Sequence, residues 1–121
     1  MCVQGKEVYI CDTGNNRILQ LNRTSNEKFE LVRIIDETAL SGPTDISVDE
    51  DGIMYICDKE NNRILKIDKD LNYLMEFGKP TDATFDQSLS FLPDKLVVDG
   101  AGRVYCIADN VNKGIVKYEN D

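Results

Sequence analysis

The side chains able to do chemistry are mostly carboxylates. Asp and Glu number 22 against 14 Lys and Arg, and there is no histidine. The chain therefore has no imidazole base near neutral pH and no imidazole metal ligand. Four cysteines remain as candidate nucleophiles: Cys2, Cys11, Cys57 and Cys106. No two of them have the C-x-x-C spacing of a zinc or redox pair. Cys11, Cys57 and Cys106 each lie inside an apolar, strand-like run, where a free thiol is a small buried hydrophobe. They read as packing groups, and on their own they leave the compartment open. Asp68-Lys-Asp70-Leu-Asn72 opens like a calcium loop, but the pattern then fails. Its sixth residue is Tyr73 where glycine is needed and its twelfth is Lys79 where glutamate is needed. Asp109-Asn-Val-Asn-Lys-Gly114 fails at Val111, which cannot ligate, and both segments read as hairpin turns. The sequence has no G-x-S-x-G, no Walker loop and no Rossmann glycine pattern. Asn22-Arg-Thr24 fits a glycosylation sequon.

The charge balance excludes whole classes of function. A net charge of −8 opposes nucleic-acid binding, which needs clustered Lys and Arg to neutralise phosphates. The longest apolar run, Ile53 to Cys57, is far below the roughly 18 residues of a membrane span, so this segment is not expected to insert. The start of the chain lacks the basic and apolar stretches of a signal peptide. At 41% hydrophobic and 30% charged residues, the composition is that of a globular domain.

What positions these residues is a repeat. Val8–Asn22 aligns with Met54–Asp68 without a gap at an offset of 46, with nine identities in fifteen positions. Pro43–Gly52 aligns with Pro93–Gly102 at an offset of 50, sharing Pro, Val, Asp and Gly. Val104-Tyr105 begins a weaker third copy. Each unit reads as four short strands, in the complete copy over about 44–49, 53–58, 63–68 and 73–78. Asn15-Asn16 and Asn61-Asn62 mark tight turns, because Asn tolerates the left-handed conformation. Ile53 to Cys57 is apolar on both faces and needs cover on both sides. No segment holds a helical period over three turns.

Four-stranded units of 40 to 50 residues in tandem are the pattern of a β-propeller. The motif Pro43…Val48-Asp49…Gly52-Ile-Met-Tyr-Ile-Cys-Asp58…Asn61-Asn-Arg-Ile64…Phe77-Gly78, with Tyr9…Asp12…Gly14-Asn-Asn-Arg-Ile18 in the first copy, resembles the NHL repeat family. The expected fold is all-β: a partial propeller of four-stranded antiparallel blades, of a type the resemblance implies closes with six. The chain reads as one incomplete domain over residues 1–121, with blade pieces at about 5–42, 43–92 and 93–121. The strand tally is three, four and three. The remaining blades are expected from a longer chain.

In such propellers the start of the innermost strand commonly faces a ligand mouth, together with the loops joining strands two and three. That makes Asp45, Asp58 and Asp94 candidate ligand contacts, although an aspartate beside proline is more often a turn cap. Arg17 and Arg63 follow the Asn-Asn turns. They could form an anion-binding ring, but the favoured reading bonds each to Asp12 or Asp58, or to a carbonyl of the next blade, a task suited to a planar five-donor group. The third copy has Asn110-Val-Asn-Lys-Gly-Ile115 at this place and lacks the arginine. Cys11, Cys57, Tyr9, Tyr55 and Tyr105 recur with the repeat and read as core. No catalytic residue and no metal ligand is assigned.

Two functions follow. The first is a non-catalytic propeller module that binds a protein or a small ligand without a cofactor, its acidic surface favouring cationic partners. The second is a piece of a metal-dependent propeller lactonase or lyase, whose calcium site would be completed by further blades. The absence of histidine counts against zinc in that second reading.

Overall fold

The computed structural model describes residues 2–25, 28–36, 39–79, 91–108 and 116–119. These residues form three antiparallel sheets. The first joins β1 (Cys2–Gln4), β2 (Glu7–Asp12), β3 (Arg17–Ser25) and β4 (Lys28–Ile35) in that order. The second joins β5 (Pro43–Val48), β6 (Met54–Asp58), β7 (Arg63–Ile67) and β8 (Tyr73–Phe77), and the third joins β9 (Pro93–Val98), β10 (Val104–Ala108) and β11 (Val116–Tyr118). No described residue is in an α-helix; the β2–β3 and β6–β7 connections are single 3₁₀ turns.

The sheets stack with β1, β5 and β9 along one edge, β5 touching both of the others. Two apolar cores fill the gaps. Between the first and second sheets lie Tyr9, Ile18 and Ile35 against Ile46, Met54, Ile56 and Ile67. Between the second and third lie Tyr55, Cys57, Ile64 and Phe77 against Leu96, Val104 and Cys106. All five residues of β6 are buried, so its lack of alternation reflects cover on both faces. Tyr9 and Tyr55 are both buried, and Cys57 and Cys106 are wholly enclosed.

The turn chemistry is explicit. Asn16 and Asn62 sit at φ +56° and +57°, closing the 3₁₀ turns through their backbone N–H groups. After β5 and after β9, Asp49 and Asp99 accept from the backbone N–H groups two and four residues on, and Gly52 and Gly102 take φ near +80°. Asp68 builds the same turn between β7 and β8. There Leu71 holds the glycine position at φ +67°, its side chain packed against the core.

One strand departs from the expected tally. Cys2–Gln4 pairs with Glu7–Tyr9 as the inner strand of the first sheet, so that sheet has four strands and not three. Three residues are too few to show a period of two, and the strand is fixed by pairing and not by its own pattern. Asn22 lies half-buried within β3, its Oδ1 enclosed, rather than in an open sequon loop. The Asp109–Gly114 turn lies outside the described residues.

Candidate functional site

The aspartates singled out from sequence gather at one end of the stack, where the inner strands begin and the β2–β3 and β6–β7 turns lie. Asp58 is fully buried. Its Oδ1 accepts from Ser41 N at 2.7 Å, and its Oδ2 from Asn61 Nδ2 at 2.9 Å and Arg63 Nε at 2.7 Å. Arg63 also reaches Glu76 at 3.5 Å. Asp12 repeats the arrangement, with Asn15 Nδ2 at 3.0 Å and Arg17 Nε at 2.8 Å. These bonds, from Asn15 first and Arg17 second, hold its carboxyl below the usual range.

Asp45 joins two sheets. Its Oδ1 accepts from Ile46 N and its Oδ2 from Leu96 N in β9, each at 3.0 Å. Asp94 faces Lys59 Nζ at 3.7 Å across the same gap. The neighbouring polar groups do similar work. Thr13 Oγ1 donates to Pro43 O at 2.7 Å, Thr44 Oγ1 to Asp94 O at 2.8 Å, and Asn62 Nδ2 to Phe91 O at 2.7 Å. Gly42 N donates to Asn16 Oδ1 at 2.9 Å. Asp58 thus has both oxygens bonded to donors, with little capacity left for a substrate proton or an ion.

Open space lies at the opposite end. A cavity of about 420 Å³ is lined by Gln4, Asp49, Glu50, Asp51, Val98 and Asp99 with Gly100 and Gly102. It sits where the inner strands finish and their turns begin. Glu50 and Asp51 are exposed, whereas Asp49 and Asp99 are tied into their turns. Burial raises the Asp99 carboxyl, but bonds from Arg103 N and Nε, Tyr105 Oη and Ala101 N outweigh it and bring it to about 2. It is therefore an anion at any physiological pH. The sequence motif marked Asp49 and Asp99 as repeat positions but gave no sign of a cavity. The signal available was their equivalence: two acidic turns one repeat apart must lie side by side.

Cys11 and Cys57 are poor nucleophiles. Burial pushes Cys11 up to about 11, and a hydrogen bond to Cys106, together with burial, raises Cys57. Both stay protonated at neutral pH. Among the described residues, no three Cys, Asp or Glu side chains converge to hold a metal ion.

Residues 40–67 match the family model described as NHL repeat. The chain carries an NHL repeat. That repeat runs from Leu40 through β5, β6 and β7, so it contains Asp45 and the whole Asp58–Asn61–Arg63 cluster. No curated protein matches the sequence. Among solved structures, a streptogramin B lyase superposes with a TM-score of 0.64 at 15% identity, over 98% of this chain and 39% of the lyase chain. At that identity the likeness shows the fold alone. With the NHL repeat and the three sheets, it identifies an all-β partial propeller whose sheets are blades. The chain spans well under half the length of the lyase it matches.

Proposed function

We propose that this chain is a non-catalytic part of an NHL-type propeller that binds a positively charged protein segment or small ligand at its acidic end. The observation that carries the reading is the cavity where Asp49, Glu50, Asp51 and Asp99 come together on turns from adjacent blades. Rigid blades holding exposed acidic turns are suited to recognition, and a net charge of −8 draws cations toward them. At the other end Asp12 and Asp58 are bonded to the turn and arginine of their own blade, which supports a structural part for Asp12, Arg17, Asp58 and Arg63. Asp45 and Asp94, placed from sequence at a ligand mouth, contribute there to blade contact.

Calorimetric titration with a lysine-rich peptide tests this. Binding is expected at low salt and should weaken as salt screens it. The double substitution Glu50→Gln/Asp51→Asn should weaken it further while leaving the fold intact, since both side chains are exposed. Equal binding of a glutamate-rich peptide, or affinity unchanged in the double variant, would overturn the reading. The reading includes no cofactor. A rise of several degrees in melting temperature on adding calcium would instead favour a metal-dependent enzyme.

A further inference from the structure

We infer that Cys57 and Cys106 can close a disulfide between the second and third blades, a bond that forms only while those blades are apart. Both thiols are wholly enclosed and line the same apolar gap. Register sets Cys106 opposite Leu96 in the third blade and Ile56 opposite Ile46 in the second. Cys106 therefore holds the place of Ile56, on the face that meets the preceding blade. Cys57 lies one residue further along its strand and faces the following blade. The two thiols share a hydrogen bond across the gap between them. In the other gap the equivalent neighbours are Cys11 and Ile56, so the same place there holds one thiol and a branched apolar side chain.

The reaction is thiol–disulfide exchange with a small disulfide such as oxidised glutathione. One cysteine, as its thiolate, attacks a sulfur of that disulfide and expels one small thiolate. The second cysteine attacks the protein sulfur of the mixed disulfide and expels the other. The two cysteines lose two protons and two electrons, and the small disulfide becomes two thiols. In the closed stack neither step starts. The shared hydrogen bond and burial keep Cys57 protonated, and neither side chain meets solvent. The bond, once made and enclosed, is shielded from a reducing thiol in the same way. It is neutral, so the apolar gap takes up no charge. The thiol state present when the blades come together is therefore the state that is kept.

The test compares two samples of the reduced chain in one buffer of oxidised and reduced glutathione. One is unfolded in urea and refolded into that buffer; the other enters it folded. Free thiols are then alkylated, and the chain is cleaved after Lys59 and Arg103, which puts Cys57 and Cys106 on separate peptides. Mass spectrometry of the refolded sample should find these two peptides joined, two hydrogens lighter than the pair of thiols. The sample that entered folded should show at most about a tenth as much over the same time. The joined form should melt about 8–16 °C above the reduced form, because the bond closes a loop of about one repeat. Cys106→Val keeps an apolar group in the gap and should refold to the same dichroism spectrum with no such rise. A refolded chain with native dichroism in which both cysteines are alkylated overturns the inference. So does a joined form that melts no higher than the reduced one, since the bond would then force the blades apart. Equal joining in the sample that entered folded refutes the dependence on open blades, and a rise kept by Cys106→Val assigns it to another pair.

Discussion

Asp58 and Asp12 form the same cluster at two depths, so substituting each isolates what burial adds. Asp58→Ala removes the acceptor for Ser41 N, Asn61 Nδ2 and Arg63 Nε, at 2.7, 2.9 and 2.7 Å. Arg63 is left 18% exposed, with Glu76 at 3.5 Å as a weaker partner. Removing one member of a buried, hydrogen-bonded ion pair costs about 3–5 kcal/mol. At roughly 4 °C per kcal/mol for a chain of this size, the melting temperature should fall by about 12–20 °C. In the Asp12 pair the side chains are 27% and 36% exposed, and water can take over as partner. Asp12→Ala should therefore shift melting by a small fraction of the Asp58→Ala effect. Asp58→Ala/Arg63→Met should cost less than the two single changes added, because no buried charge is left without its partner. Thermal melts followed by circular dichroism, with urea titrations as a second measure, decide the matter. Equal shifts for Asp58→Ala and Asp12→Ala, or a double variant whose cost equals the sum, would refute the argument from burial.

Three further outcomes follow from local geometry. Gly42→Ala should destabilise by about 1–3 kcal/mol in urea titration, because Gly42 holds φ +60° and a new Cβ would stand 2.8 Å from Glu60 Cγ. Gly5→Ala, at φ +61° with open space around it, should cost less. Asp99 should titrate near 2 in carbon-detected NMR, against an ordinary 3.8. Its folded-state value is the lower one, so its contribution to stability is present above 3.8 and is lost as pH falls through about 2. Tyr105→Phe removes one of the hydrogen bonds responsible and should move the Asp99 midpoint upward; an unmoved midpoint would rule out the tyrosine's part. Cys57 and Cys106 should resist a thiol-specific reagent until the protein unfolds, since both are enclosed between blades. Rapid labelling of either in native protein would contradict that packing.

The repeat made the fold legible. Short apolar runs, paired asparagines and Asp-x-x-Gly turns each recur at a fixed offset, and the strands of the second blade fall within a residue of where the pattern placed them. β1 was not legible, because Cys2-Val3-Gln4 has no periodicity of its own and becomes a strand only through its pairing with β2. The ion pairs Asp12–Arg17 and Asp58–Arg63 each span five residues across a tight turn. What spacing could not convey was direction. Asp45 turns to Leu96 N in the neighbouring blade, a contact 51 residues away that depends on how the sheets stack. The acidic cavity was hidden for a related reason: Gln4, Glu50 and Asp99 belong to three different blades and meet only through that stacking.

In the third blade an apolar residue takes the register position of the buried aspartate. Ala108 pairs with Pro93 in the register that sets Asp58 against Pro43, and it is nearly as enclosed as Asp58. The same copy also lacks the arginine of the Asn-Asn-Arg-Ile motif. Losing only the arginine would strand a carboxylate in an apolar gap; losing only the aspartate would strand a guanidinium. Losing both replaces a pair whose desolvation cost largely cancels its attraction with a small apolar group. The third blade still packs, with Val104, Cys106 and Ala108 in the shared core. Apolar stacking is therefore what every blade interface needs. In the blades that keep it, the Asp–Arg pair adds definition to the turn, tying the incoming segment at Ser41 to the strand pair it precedes.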